Sequence, residues 1–371
     1  MSEIILKNVT KKFGDGFVAV KELNMEIEDR AFITLLGPSG CGKTTTLRMI
    51  AGLETPSSGT ITIDGVPVFD AERGINLPPD KRDIGFLFQN YALWPHMTVY
   101  KNIAFGLENL KWSRDRIDER IRELLVMLKI EEFASRYPAE LSGGQQQRVA
   151  IARTLAPKPR VLFMDEPLSN LDAKLRGDMR TELKRLHIDT NSTFIYVTHD
   201  QLEAMTLSTK VCLIEGGVLQ QYAPPFEIYN RPQNIFVADF MGNPSINLIQ
   251  LPLRRESADC GIMECCGKQL RFHAEAELQP CGEQVILGVR PEHIEISDQG
   301  ALRAKVYTTL PTGMETTVKL RLGEKLISVV AFGSVDYSVD QEVALSFTGD
   351  KILLFDAESR RNIGIGTLEV L

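Results

Sequence analysis

The chain predicts an α/β fold followed by a separate all-β region, on three observations. Apolar strand-like and helix-like segments alternate through the first part. One such strand, Phe32 to Leu36, runs straight into a glycine-rich turn and then a helical stripe. Beyond about residue 235 the stripes give way to short alternating runs punctuated by Gly, Pro and Asp. A length of 371 residues suits two domains better than one core.

Taken in order, Leu23, Met25 and Ile27 alternate with polar neighbours and predict a strand. After the glycine-rich turn, Leu47, Ile50 and Ala51 recur at helical spacing, and Gly52 is placed to end the helix. From Ser113 the pattern is helical alone, with Ile117, Ile121, Leu124, Leu125 and Leu128 on one stripe, which predicts a helical block inserted between two α/β halves. Strands resume at Val161 to Met164, Phe194 to Val197 and Val211 to Ile214; between the first two, Leu175, Met179, Leu183 and Leu186 mark a helix. The boundary is expected near Arg231-Pro232. Gln284 to Val289, Ala304 to Tyr307 and Leu326 to Ala331 then predict strands of a small barrel or sandwich.

Composition narrows the function classes. The formal net charge is −7, from 42 Lys+Arg against 49 Asp+Glu, so a broad basic footprint for nucleic acid is not expected. No apolar run reaches the length of about 18 residues that a spanning helix needs, and the amino terminus lacks a basic-then-apolar secretory pattern. Any membrane role is therefore expected to be peripheral, on the cytoplasmic side. Six cysteines are present, and Cys260, Cys265, Cys266 and Cys281 lie close in sequence. Their spacing suits a tetrahedral zinc site poorly, and reduced thiols are the preferred reading.

Gly37-Pro38-Ser39-Gly40-Cys41-Gly42-Lys43-Thr44 fits the phosphate-binding loop pattern, with a strand before it and a helix after it. The glycines let backbone N–H groups turn toward phosphate oxygens, and the helix terminus adds partial positive charge. Lys43 is expected on the β- and γ-phosphates, and the Thr44 hydroxyl on Mg²⁺. Val161-Leu162-Phe163-Met164-Asp165-Glu166 is an apolar strand ending in two carboxylates. Beside the loop, Asp165 can hold Mg²⁺ through water and Glu166 can polarise the attacking water.

Leu141-Ser142-Gly143-Gly144-Gln145 arises by chance less than about once in a thousand chains of this length, and it resembles the ABC signature. A helix start bearing a hydroxyl and unobstructed N–H groups receives anions. From the resemblance to ABC ATPases follow a P-loop, RecA-like nucleotide-binding domain over residues 1–235, with its helical subdomain at about 90–155, and an all-β, OB-like regulatory domain over 236–371. It implies that Ser142, Gly143, Gly144 and Gln145 grip the γ-phosphate of ATP held by a second copy, so that a homodimer or a pairing with a close paralogue buries two ATP molecules. It further implies that Gln89 contacts Mg²⁺ and senses the transport partner, that Ser169-Asn170-Leu171-Asp172 crosses the dimer interface, and that His199 is the switch histidine on the γ-phosphate. Phe13 stands where the family stacks a ring on adenine, with a core role as the alternative. Ser39, Gly40, Cys41, Gly42 and Thr45 complete the expected nucleotide contacts.

Tyr91 to Val99, Asp165 to Arg176, Thr198 to Gln201, Phe240 to Pro244 and Gly288 to His293 resemble the carbohydrate-uptake importer ATPases of the maltose and glycerol-3-phosphate type. That resemblance implies two integral-membrane permease subunits, an extracytoplasmic solute-binding protein acting indirectly, and a possible regulator at the carboxy-terminal domain. Polyamine and ferric-iron importers share the core and remain the alternative. The aromatic stretch Tyr91 to Met97 reads either as a groove for a permease helix or as packing, and is expected to divide between the two. Two departures from the family stand out: Gln146 where relatives often carry Arg, and the cysteine cluster.

Overall fold

A computed structural model describes residues 3–14 and 16–371. Met1, Ser2 and Asp15 lie outside the described residues, and the first two belong to the amino-terminal stretch read above for a secretory pattern. The chain divides into two compact units, Met1–Pro225 and Phe226–Leu371.

The first unit contains β1 (Ile4–Lys12), β2 (Val18–Ile27), β3 (Phe32–Leu36), α1 (Lys43–Ala51), β4 (Ser58–Ile63), β5 (Val66–Asp70), β6 (Ile75–Asn76) and β7 (Ile84–Leu87). Then follow α2 (Val99–Asn109), α3 (Arg114–Met127), α4 (Gly143–Leu155), β8 (Val161–Asp165), α5 (Ala173–Thr190), β9 (Thr193–Val197), α6 (Gln201–Leu207), β10 (Lys210–Glu215) and β11 (Val218–Ala223). These strands make two sheets where the sequence suggested one. The antiparallel sheet runs β2-β1-β4-β5-β6, and the second runs β11-β10-β3-β9-β8-β7. Strand β2 belongs to the first sheet, because β1, β2 and β4 pair directly without the crossover helix that parallel strands need.

The second sheet is parallel from β10 to β7 and buried on both faces, which is why its strands read as continuous apolar runs. Alternate residues serve alternate cores. Ile33, Leu35, Phe163, Ile195 and Val197 pack with α1 and the antiparallel sheet. Phe32, Leu162, Met164, Phe194 and Tyr196 pack on the other side, with the apolar stripes of α2 to α5. Helix α1 stops where expected, at Gly52 in a left-handed conformation. The stripe predicted from Ser113 is α3, with Ser113 as its N-cap. Helix α2 was not anticipated; its N-cap Thr98 and buried Ile103 and Leu107 follow directly on the aromatic stretch.

The second unit is all-β apart from α7 (Pro225–Asn230), which crosses the boundary, α8 (Ile235–Phe240) and one short 3₁₀ turn. Strands β12 (Asn247–Arg255), β13 (Cys260–Cys265), β14 (Lys268–Ala274), β15 (Gln284–Val289), β21 (Ile352–Asp356) and β22 (Asn362–Val370) close a barrel in the order β12-β13-β14-β22-β21-β15. Strands β16 (Ile294–Ile296), β17 (Leu302–Pro311), β18 (Glu315–Leu322), β19 (Lys325–Phe332) and β20 (Glu342–Phe347) form a five-stranded sheet ordered β16-β20-β17-β18-β19. One core serves both, from Met263 and Leu287 in the barrel to Val318 and Val329 in the sheet.

Arg290 is the largest fully buried side chain among the described residues. Its guanidinium donates to the carbonyls of Ala238, Met241 and Tyr229 and lies 3.9 Å over the Tyr229 ring, tying the two short helices to the end of β15. Arg290→Met keeps an unbranched apolar stem but removes the donor to three carbonyls. We expect it to lower the stability of this unit by about 3 kcal/mol, read by calorimetry, while ATP binding persists.

Candidate nucleotide site

The site is assembled by strand order. Four adjacent parallel strands, β3, β9, β8 and β7, are in register and end at one edge of the sheet. Each hands its next residues to that edge: the glycine-rich loop after β3, Thr198 and His199 after β9, Glu166 after β8, and Phe88 and Gln89 after β7. Ligands of open α/β sheets bind at such carboxyl ends.

The loop is shaped by glycine. Gly37 has φ 148° and Gly42 has φ 102°, and a Cβ on either would lie 2.1 Å from the Ile214 carbonyl oxygen or 2.3 Å from that of Ala19. Only glycine therefore permits this close approach of loop to strand. Pro38, Ser39 and Gly40 are exposed at the crest, Cys41 is buried beneath it, and Thr44 and Thr45 begin α1 half-buried. Lys43 is 5% exposed, and its Nζ donates to the Gly37 and Pro38 carbonyls at 2.8 Å each. The ammonium thus lies inside the loop's own curve.

Thr44 Oγ1 donates to Asp165 Oδ1 at 3.0 Å, and Arg48 lies 3.4 Å from Asp165 Oδ2. The next residue, Glu166, adopts φ 46°, a left-handed conformation strained for a residue with a side chain. Its backbone N–H donates to Val197 and its carboxylate stands 3.5 Å from His199 Nδ1. Gln89 Nε2 donates to Ser169 Oγ at 3.3 Å, and Ser169 Oγ donates to the Glu166 carbonyl at 2.8 Å. Lys43, Thr44, Asp165, Glu166, His199 and Gln89 are therefore brought to one edge.

Other anticipated residues lie elsewhere on the unit. Ser142 caps α4: its hydroxyl accepts from the Gln145 N–H, and its own N–H donates to Gln145 Oε1. Ser142 and Gly143 are exposed, whereas Gly144 is buried, and a Cβ there would meet Leu175 at 2.7 Å. Asp172 caps α5 by accepting from Leu175, so the tip of α4 and the start of α5 adjoin. Among the described residues, no hydrogen bond or ion pair joins this tip to the phosphate loop of the same chain. Phe13 sits in the β1–β2 connection, partly exposed, with the Lys11 ammonium 5.0 Å from its ring. Gln146 Nε2 donates to the carbonyls of Pro138 and Leu141 at 3.0 and 3.2 Å, a local role at the start of α4.

Arg48 and Glu203 escaped the sequence reading, and Ser169, anticipated only at a dimer interface, has a further role within the chain. Arg48 pairs with Asp165 from the loop helix. Ser169 links Gln89 to Glu166. Glu203, buried, accepts from Tyr196 Oη at 2.8 Å and Thr198 Oγ1 at 2.6 Å, fixing the turn that carries His199. Burial pushes its carboxyl above the usual carboxylate range. An acid four residues after the histidine was the available signal for Glu203.

The aromatic stretch is packed in part and exposed in part. Tyr91 is buried and donates to the Pro167 carbonyl at 3.3 Å, while Trp94 packs 4.5 Å from Phe105 and 4.8 Å from the Arg153 guanidinium. Pro95 and His96 are exposed, as is Phe88 in part. No helix among the described residues is long and apolar enough to cross a membrane.

The sequence matches the ABC transporter family over residues 20–169 and the TOBE domain family over residues 287–355. It is 45% identical to the trehalose/maltose import ATP-binding protein of Thermococcus litoralis, over 98% of this chain and 100% of that one. It is 42% identical to the sn-glycerol-3-phosphate import ATP-binding protein of Brucella abortus, over 97% and 99% of the two chains. Among solved structures, it is similar to the dimeric cassette MJ0796 bound to ADP and phosphate, with TM-score 0.52 and 34% identity over 60% of this chain and 98% of that one. With the phosphate loop, the paired carboxylates and the signature on one unit and an all-β unit following it in the chain, the chain belongs to the ABC transporter family, as an ATP-hydrolysing subunit that carries the family's nucleotide-binding domain and a TOBE domain.

Proposed function

We propose that this ATPase energises the uptake of a sugar, an oligosaccharide or a glycerol-phosphate-like solute. It does so from the cytoplasmic face of the membrane, as a homodimer bound to two integral-membrane permease subunits and served indirectly by an extracytoplasmic solute-binding protein. The observation that carries the mechanism is the bonded cluster Thr44, Asp165, Glu166 and His199 around the Lys43 loop. The solute class rests on relatives whose names specify trehalose/maltose and glycerol-3-phosphate import.

The residues fit a nucleotide with a divalent cation. The loop's N–H groups and Lys43 offer donors and positive charge where phosphates would lie. Thr44, Asp165 and Gln89 offer the oxygen ligands that would hold Mg²⁺, and the bound ion would neutralise charge developing on the phosphates. Lys43 exchanges its two carbonyl partners for phosphate oxygens. Glu166 accepts a proton from the attacking water, and its left-handed backbone aims the carboxylate out of the strand line toward His199. His199, mostly exposed, orients on the γ-phosphate.

The Ser142 tip of each copy covers the phosphates held by its partner, with Asp172 beside it. Ser142 and Gly143 are exposed, so the Ser142 hydroxyl proton and the Gly143 N–H are turned to where a second molecule would bind, while the Ser142 N–H stays with Gln145 Oε1. Phe13 contributes a ring for adenine. The partly exposed Phe88 and the Pro95–His96 segment receive the permease, and the second unit carries regulation.

Reconstitution with the native permease in vesicles tests the whole reading. Hydrolysis should rise at least tenfold when a carbohydrate-loaded or glycerol-phosphate-loaded binding protein is added outside. Stimulation by polyamine- or ferric-loaded protein alone would overturn the solute class, and no stimulation by any would overturn the importer role.

A further inference from the structure

The nucleotide chemistry leaves the cysteines of the second unit unused, and the structure separates them. Cys260 opens β13 and Cys265 closes it, about 17 Å apart along an extended strand. Cys281 lies elsewhere, 3.5 Å from the Arg255 guanidinium. Among the described residues no three Cys, His, Asp or Glu side chains gather as a metal site would require, so four-sulfur zinc binding is not formed.

Cys265 and Cys266 are different. Their sulfurs stand 4.0 Å apart at the tip of the β13–β14 hairpin. Cys265 pairs with Lys268 across the turn, and the two residues between, Cys266 and Gly267, have φ 51° and 75°. That two-residue turn ordinarily takes Asn-Gly or Gly-Gly. Here it fixes a thiol in a left-handed position and turns it out to solvent, while the preceding thiol turns inward onto the barrel core. The Cys266 sulfur also rests beside Gly323, in the turn between β18 and β19.

We propose that Cys265 and Cys266 form a bidentate capture site for a soft centre that seeks two sulfurs, of the trivalent-arsenical class. Two sulfurs bound at about 2.3 Å to one pyramidal centre, about 100° apart, stand ~3.5 Å from each other, within about half an ångström of the 4.0 Å found, whereas a disulfide needs about 2.05 Å. The pair is thus held at chelating distance. Burial pushes the Cys265 thiol up to about 12, so it keeps its proton at neutral pH. A cation would have to displace both thiol protons, but an organoarsenic oxide provides for them. Two arsenic–sulfur bonds form and the arsenic–oxygen bond breaks. The oxygen leaves as water with the two thiol protons, and no atom changes oxidation state.

The test uses the full-length reduced chain and one equivalent of phenylarsine oxide, followed by intact mass and peptide mapping. One adduct is expected, on a peptide holding both cysteines, equal in mass to the reagent less one water. It should resist excess glutathione and yield to a dithiol. Cys266→Ser, at an exposed position the core does not depend on, leaves a single sulfur and should release the arsenical to glutathione roughly 100-fold faster. Cys260→Ser and Cys281→Ser should leave retention unchanged. An adduct mapping to other cysteines, or equal retention by Cys266→Ser, overturns the assignment.

Discussion

Glu166→Gln leaves ATP binding intact and lowers steady-state hydrolysis by about a thousandfold, the expected consequence of removing a general base while conserving shape. The amide fits where the carboxylate stands, 3.5 Å from His199 Nδ1, and the backbone bond from Glu166 to Val197 does not involve the side chain. What is lost is the acceptor for the water proton. If the Ser142 tip of one copy closes over the phosphates of another, unhydrolysed ATP should hold the two copies together. The variant should then elute as a dimer with ATP and as a monomer with ADP. Turnover at the parent rate would remove Glu166 from its role, and an ATP-loaded variant that stays monomeric beside the permease would remove the shared site.

Lys43→Met has the second large effect, with a different signature. The ammonium is nearly buried and donates to two loop carbonyls. A charge-assisted bond to phosphate contributes on the order of 2–3 kcal/mol, so nucleotide affinity should fall by about 30- to 150-fold. Hydrolysis should fall further, because the same charge acts as the leaving phosphate develops charge. Titration with a fluorescent nucleotide separates the two variants: Glu166→Gln binds and stalls, Lys43→Met binds poorly. Unchanged affinity in Lys43→Met would show that the loop's backbone alone holds the phosphates.

Much of the candidate site was legible because phosphate chemistry demands particular residues at fixed spacing along one segment. Gly37 and Gly42 lie where a Cβ would strike neighbouring carbonyls, so their identity is dictated locally. The signature likewise shows as a capping box, with Ser142 and Gln145 bonding one another across one helical turn. Arg48, Glu203 and the link that Ser169 makes from Gln89 to Glu166 were not legible, since each acts through a partner brought near only by folding. Glu203 is 4 residues from His199 in sequence, but its function depends on Tyr196 and Thr198 facing one buried pocket.

The fold divides the same way. Apolar periodicity announced β3, β8, β9 and α3, because a strand buried on both faces and a one-sided helix leave distinct local patterns. Periodicity says nothing about which strand lies beside which. The antiparallel sheet, the six-stranded barrel closed by β22 against β14, and the separation of four nearby cysteines into one pair and two single thiols all depend on long-range pairing. By itself the sequence determined the chemistry each segment can perform. Only the tertiary structure decided that four of those segments leave adjacent parallel strands at one edge, since strand order is set by burying apolar faces together, a sum over contacts distant along the chain.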